Sequence, residues 1–117
     1  MSLSIDYVEF ASPELEATES FFAKAFGWSF INYGPDYRDI QGAGLGGGIE
    51  RGDLRPPLIV LKSDDLAADR DKIIAAGARL TRDIFAFPGG ERFEFREPGG
   101  TLMAVWSEIE ASPQSDQ

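Results

Sequence analysis

The chain repeats itself. "IDYVEFASPELEATESFFAKAFGW" and "PLIVLKSDDLAADRDKIIAAGARL" follow one plan. Each opens on a β-branched and aromatic or aliphatic run, which reads as a strand. A serine then precedes acids, Ser12-Pro13-Glu14 and Ser63-Asp64-Asp65, as helix N-termini favour. Pro13 suits a first helical turn, where its missing N–H costs nothing. Apolar residues recur at helical spacing, Leu15, Phe22 and Phe26 in one copy and Leu66, Ile73 and Ile74 in the other. Both helices stop at glycine, Gly27 and Gly77. Aligning Ser12 with Ser63 superposes Leu15 on Leu66, an offset of about fifty residues. Two copies are too few for a solenoid, so the economical product is two βαβββ units that pair their strands.

Three strand candidates follow each helix, 28–33, 37–41 and 45–50 in the first half and 80–87, 92–96 and 102–106 in the second. The turns between them carry "YGPDY", "PGGE" and "EPGG". The expected fold class is α+β, two βαβββ modules forming an open, cup-shaped mixed sheet. The expected organisation is one domain over 1–107, with module one at 4–51, a linker at 52–57 and module two at 58–107. Pro56-Pro57 stiffens the linker "RGDLRPP" and should end any preceding strand. Residues 108–117 read as a flexible polar tail.

Composition removes several function classes. There is no cysteine and no histidine, which excludes disulfides, thiolate zinc sites, thiol catalysis and a Ser-His-Asp triad. A net charge of −9 without a basic cluster argues against nucleic acid and anionic membrane surfaces as partners. No apolar run approaches the roughly 18 residues of a membrane span. "MSLSIDYVEF" lacks a basic region ahead of an apolar one, so no secretory leader is expected and the cytoplasm is the default location. "GAGLGGGIE" lacks the GK[ST] ending of a phosphate loop and no helix follows it. Its glycines read as a strand that bends or admits close backbone approach, with shaping around a ligand as a subsidiary role.

Strand alternation sorts the side chains. Val8 and Phe10, Ile59 and Leu61, and Phe93 and Phe95 should pack under the helices. Tyr7, Glu9, Leu58, Val60, Arg92 and Glu94 then share the opposite faces; both faces of the last strand are apolar, leaving the register of Ala104 open. Acids and an arginine among apolar side chains fit a partly polar cavity for a small molecule, since burial in solid core would cost several kcal/mol each. They equally fit exposed Glu–Arg pairing across strands. Of the aromatic group Trp28, Phe30, Tyr33 and Tyr37, core packing explains most, and Tyr37 is the one expected at the cavity mouth.

"IDYVEF", "LEATESFFAKAFGW", "GLGGGI" and "FEFREPGGTLMAVW", in this order and spacing, resemble the glyoxalase/bleomycin resistance/dioxygenase (vicinal oxygen chelate) superfamily from about Ile5 to Trp106. The resemblance implies paired βαβββ modules around a ligand cavity, often in a homodimer. In metal-dependent members the ligands come from the opening and closing strands, and those positions fall here on Tyr7, Leu58 and Ala104, with the first closing strand near 48–50. Leucine and alanine have no donor atom, and a neutral tyrosine is a poor ligand. The expectation is therefore a metal-independent member without cofactor, binding a small organic ligand. Its ligand-binding residues would be Tyr7, Glu9, Tyr37, Leu58, Arg92, Glu94 and Ala104. The alternatives are a glyoxalase-like lyase or isomerase with Glu9 or Glu94 as general base, and a degenerate dimerising module with no ligand.

Overall fold

The computed structural model describes residues 3–108; the expected tail beyond 108 lies outside the described residues. The elements run in the order β1 (Ser4–Ser12), α1 (Leu15–Phe26), β2 (Ser29–Asn32), β3 (Tyr37–Gln41), β4 (Gly46–Arg51), β5 (Arg55–Lys62), α2 (Leu66–Ala75), β6 (Arg79–Phe87), β7 (Gly90–Arg96) and β8 (Leu102–Glu108). This is βαβββ twice over. The chain divides into two compact units, one of Asp6–Ile59 and one that joins residues 3–5 to 60–108.

In the first unit the strand order is β2-β3-β4-β1, with β5 following β1. β1 runs parallel to β4, while β3 pairs antiparallel with both β2 and β4. The sheet is therefore mixed. Its core is Leu15, Ile40 and Ile49, flanked by Phe10, Phe22, Trp28 and Phe30. Phe10 meets Phe22 edge-on at 5.2 Å between ring centroids, so the helix-facing side of β1 is the one that alternation selects. Arg38 on β3 is buried beside this core. It donates from Nε to Glu19 Oε1 at 2.8 Å and from Nη1 to the Gly34 carbonyl at 2.7 Å, tying α1 to the β2–β3 turn.

In the second unit the order is β5-β8-β7-β6, and β7 pairs antiparallel with both β6 and β8. Leu66, Phe93, Phe95 and Val105 form its core with Leu61, Ile73 and Met103 packed against them. That fixes the register of the last strand: Met103 and Val105 face the core cluster, and Ala104, fully buried, lies in the ladder opposite Glu94.

Three local expectations change. Pro13 precedes α1 instead of opening it, because the Ser12 hydroxyl holds the Glu14 N–H at 3.0 Å and delays the helix to Leu15. The segment expected as linker at 52–57 is shorter. Arg55, Pro56 and Pro57 already belong to β5, a placement proline tolerates at the start of a strand, where its missing donor breaks little of the ladder. Glu108, expected to open the tail, closes β8 instead, level with Gly90 on β7. Among the described residues no helix is long and apolar enough to cross a membrane.

Candidate functional site

Three strands of the first unit bring the candidate residues to one face. Across the sheet, Glu9 of β1 is level with Gly48 of β4, and Gly48 is level with Asp39 of β3. One step along, Tyr7 is level with Gly46 and Tyr37 with Glu50. Because β1 is parallel to β4 and β3 antiparallel, the two tyrosines stand at opposite diagonal corners around Gly48. Their hydroxyls share a hydrogen bond, and both occupy the space that a Cβ on Gly48 would need. The Tyr7 hydroxyl also reaches Asp39 Oδ1 at 3.4 Å. The glycine is thus a requirement of the tyrosine pair.

The Tyr7 phenol is pushed up to about 12, chiefly by burial; the hydrogen bond from Tyr37 pulls the other way, and the negative charges of Asp39 and Glu9 add to the rise. Tyr37 is raised as well, first by burial, then by its bond to Tyr7 and by the charges of Glu9 and Asp39. Both are neutral phenols at physiological pH, equipped to donate as well as accept.

Beside them, Glu9 is 7% exposed. Arg55 donates to its Oε1 from Nη2 at 3.1 Å and to the Glu9 carbonyl from Nη1 at 3.2 Å, and stands 3.7 Å from Glu50 Oε1. Leu58, also of this unit, is buried on β5. The second unit holds the other candidates. Arg92 Nη2 donates to Glu94 Oε2 at 2.7 Å, and Glu94 faces Ala104 across the β7–β8 ladder. Irregular pairing around Arg82 brings Phe85 level with Arg92. The Arg82 guanidinium lies 3.5 Å from the Phe85 ring centroid and that of Arg92 5.7 Å.

The structure therefore joins Tyr7 with Tyr37 in one unit and Arg92 with Glu94 in the other. Each carboxylate expected as a base, Glu9 and Glu94, accepts from an arginine. Sequence reasoning missed Arg55, Asp39 and Gly48 around the first group and Arg82 and Phe85 around the second. Arg55 was hidden by its place in an assumed linker. Asp39 was within reach, since it shares the parity of Tyr37 on β3.

No family model matches the chain, and no curated protein sequence matches it. Solved structures do. A Mn(II)-bound glyoxalase from Novosphingobium aromaticivorans aligns with a TM-score of 0.70 and 25% identity over 90% of this chain, which spans 38% of the length of that one. Methylmalonyl-CoA epimerase from Mycobacterium tuberculosis aligns with a TM-score of 0.71 and 14% identity, covering 91% of this chain and 88% of that one. A glyoxalase/bleomycin resistance protein/dioxygenase superfamily member from Vibrio splendidus 12B01 aligns with a TM-score of 0.70 and 14% identity, over 92% and 100% of the two chains. The structure has the glyoxalase/bleomycin resistance/dioxygenase fold. The metal that such a fold often carries does not fit the residues present. Tyr7 stays protonated, Leu58 and Ala104 offer no donor atom, and among the described residues no three His, Cys, Asp or Glu side chains gather where they could hold an ion.

Proposed function

We propose that the protein is a metal-independent binder of a small organic ligand, held at the sheet face that carries Tyr7, Tyr37 and Glu9. The observation that supports this most directly is the pair of neutral phenols over Gly48, set beside the buried Glu9 carboxylate and its partly exposed Arg55 partner. Burying polar groups costs stability that their hydrogen bonds to one another only offset, and a glycine inside a strand weakens it. Both are present where a ligand with a carbonyl or carboxylate oxygen would compete for the hydroxyl protons now held between Tyr37, Tyr7 and Asp39 and would meet, in Arg55, a cation. Leu58 supplies apolar wall in this reading. Within the second unit, Arg92, Glu94 and Ala104 are the residues proposed to meet ligand. A cytoplasmic homodimer is the proposed setting, checked by sedimentation of the purified chain.

The test is ligand-observed NMR with a panel of small carboxylic acids and carbonyl compounds. At least one should bind to the wild type and lose tenfold or more in affinity in Tyr7→Phe. If none binds, or if Tyr7→Phe binds equally well, the reading fails. An enzymatic reading draws on the glyoxalase and epimerase among the similar structures. It makes Glu9 or Glu94 a general base, released from its arginine when substrate arrives. It requires Glu94→Gln or Glu9→Gln to abolish turnover of a bound compound in a folded protein, where simple binding requires a change of affinity alone.

A further inference from the structure

The first unit holds a concavity on the opposite side of β1 from the tyrosines. It is a half-open hollow of about 130 Å³, walled by Val8, Phe10, Trp28, Ile40, Ala43 and Leu45. No side chain in that wall carries a charge or a carboxylate, hydroxyl or amide group. β1 explains why two unlike sites share a strand: Tyr7 and Glu9 point to one face, Val8 and Phe10 to the other. Gly47 deepens the floor, since a Cβ there would stand 3.4 Å from Ile40 Cδ1. The mouth is formed by the turn before β4, where Gly42 and Gly44 adopt positive φ of 86° and 97° and carry Ala43 and Leu45 between and beyond them. Leu45 remains 48% exposed at the rim.

We propose that this pocket is a binding site for a small uncharged aromatic molecule of one ring, independent of the ligand proposed for the tyrosine face. Size selects the class. A dry apolar cavity of roughly 150 Å³ accepts benzene, and a pocket of about 130 Å³ with an open rim takes a ring of that size with a short substituent directed past Leu45. Chemistry selects it too. The rings of Phe10 and Trp28 supply aromatic edges and faces, and water gains few hydrogen bonds there. An anion or a polyol would lose its hydration without replacement.

Toluene is the probe, and Trp28 is the reporter. In a Trp106→Phe background, Trp28 is the one remaining tryptophan of the two in the chain. Its emission should change saturably with toluene, with a dissociation constant on the order of 1 mM. Ala43→Leu, which fills the wall from a turn, should weaken binding at least tenfold. Val8→Ala, which enlarges the pocket, should shift preference toward propylbenzene. Tyr7→Phe should leave toluene binding unchanged, whatever it does on the other face. The proposal is overturned if Trp28 emission does not respond up to the solubility limit of toluene. It is also overturned if Ala43→Leu stays folded and binds as before, or if Tyr7→Phe removes the response. Should Ala43→Leu fail to fold, unchanged preference between toluene and propylbenzene in Val8→Ala overturns it instead.

Discussion

Tyr7 and Tyr37 meet hydroxyl to hydroxyl over Gly48, from strands on either side of it. The contact ties a residue type to a register. Only where β4 presents a glycine level with Glu9 and Asp39 can two tyrosines reach across from its flanking strands.

Gly48→Ala should therefore be far more damaging than an ordinary glycine-to-alanine change in a strand. The added methyl falls on both hydroxyls, so the tyrosines must part, at a cost of about 1–3 kcal/mol from overpacking and a lost buried hydrogen bond. Urea denaturation checks the size. Introducing Tyr7→Phe together with Gly48→Ala should recover part of the loss, because it removes an obstructing oxygen, whereas Tyr37→Phe would still leave the ring carbon Cζ 2.5 Å from the new methyl. A full, additive loss in the double variant would show that the crowding lies elsewhere.

The same pair predicts a pH dependence. Tyr7 titrates at about 12 in the folded chain against 10.0 for an unperturbed phenol. The folded state holds its proton more tightly than the unfolded state. Stability from this group is thus fully present below pH 10 and is lost as pH rises from about 10 to 12. Ultraviolet titration at the phenolate band should show the Tyr7 component delayed, and absent in Tyr7→Phe, whose stability should fall less steeply over that window. Release of the Tyr7 component near 10 would contradict the buried pair.

Much of this was legible in the chain. The serine–acid helix starts, the Gly27 and Gly77 stops and the alternation of Val8/Phe10 and Phe93/Phe95 are local signals, and each found its place because local preference and packing agree there. The misses have physical causes. Arg55 lay hidden because a double proline reads as the end of a strand, whereas it occupies the opening of β5, where little ladder bonding is lost. Gly48 looked like one of several permissive glycines, since nothing local states which strand it faces. Register across β1, β4 and β3 depends on long-range pairing, and this gives Gly48 its role. Arg38 shares the parity of buried Ile40, and only the facing Glu19 explains how a charge can be held there.

Arg55 is predicted to be needed for folding stability as well as for the proposed site. Arg55→Ala removes a guanidinium from Glu9, which is 7% exposed, and should cost about 2–4 kcal/mol, since a buried charge is left with fewer partners. Arg55→Lys should recover only part of that, because one ammonium cannot serve both Glu9 Oε1 and the Glu9 carbonyl with the guanidinium's fork. Glu9→Gln should cost less than Arg55→Ala, as it removes the buried charge itself and leaves the half-exposed guanidinium to solvent. Thermal melts of the three variants give the ranking, and a reversed order would make the ion pair incidental.

Divalent metal should find no stoichiometric site. Calorimetric titration with Mn²⁺, Ni²⁺ or Zn²⁺ is expected to show only weak heats from the acidic surface that vanish in moderate salt. Tight binding of one ion per chain would mean that Glu9 leaves Arg55 to act as a ligand, and Glu9→Gln would then abolish it.

The internal repeat makes its own quantitative prediction. Ser12 accepts from the Glu14 N–H at 3.0 Å and bonds Thr18 Oγ1 at 2.8 Å; Ser63 accepts from the Asp65 N–H at 3.0 Å and donates to Asp69 Oδ2 at 2.6 Å. Position for position the two serines do the same work, each reaching two residues on for a backbone donor and six residues on for a side chain. The difference is that Thr18 is neutral and Asp69 is charged. A hydrogen bond to a charged group contributes roughly twice as much as a neutral one, so Ser63→Ala should cost about 2 kcal/mol and Ser12→Ala about 1 kcal/mol. Introducing Asp69→Asn should bring the Ser63→Ala penalty down toward that of Ser12→Ala. If the penalty of Ser63→Ala is the same in the wild-type and Asp69→Asn backgrounds, the serine acts through the turn alone and the charge on Asp69 contributes nothing to it.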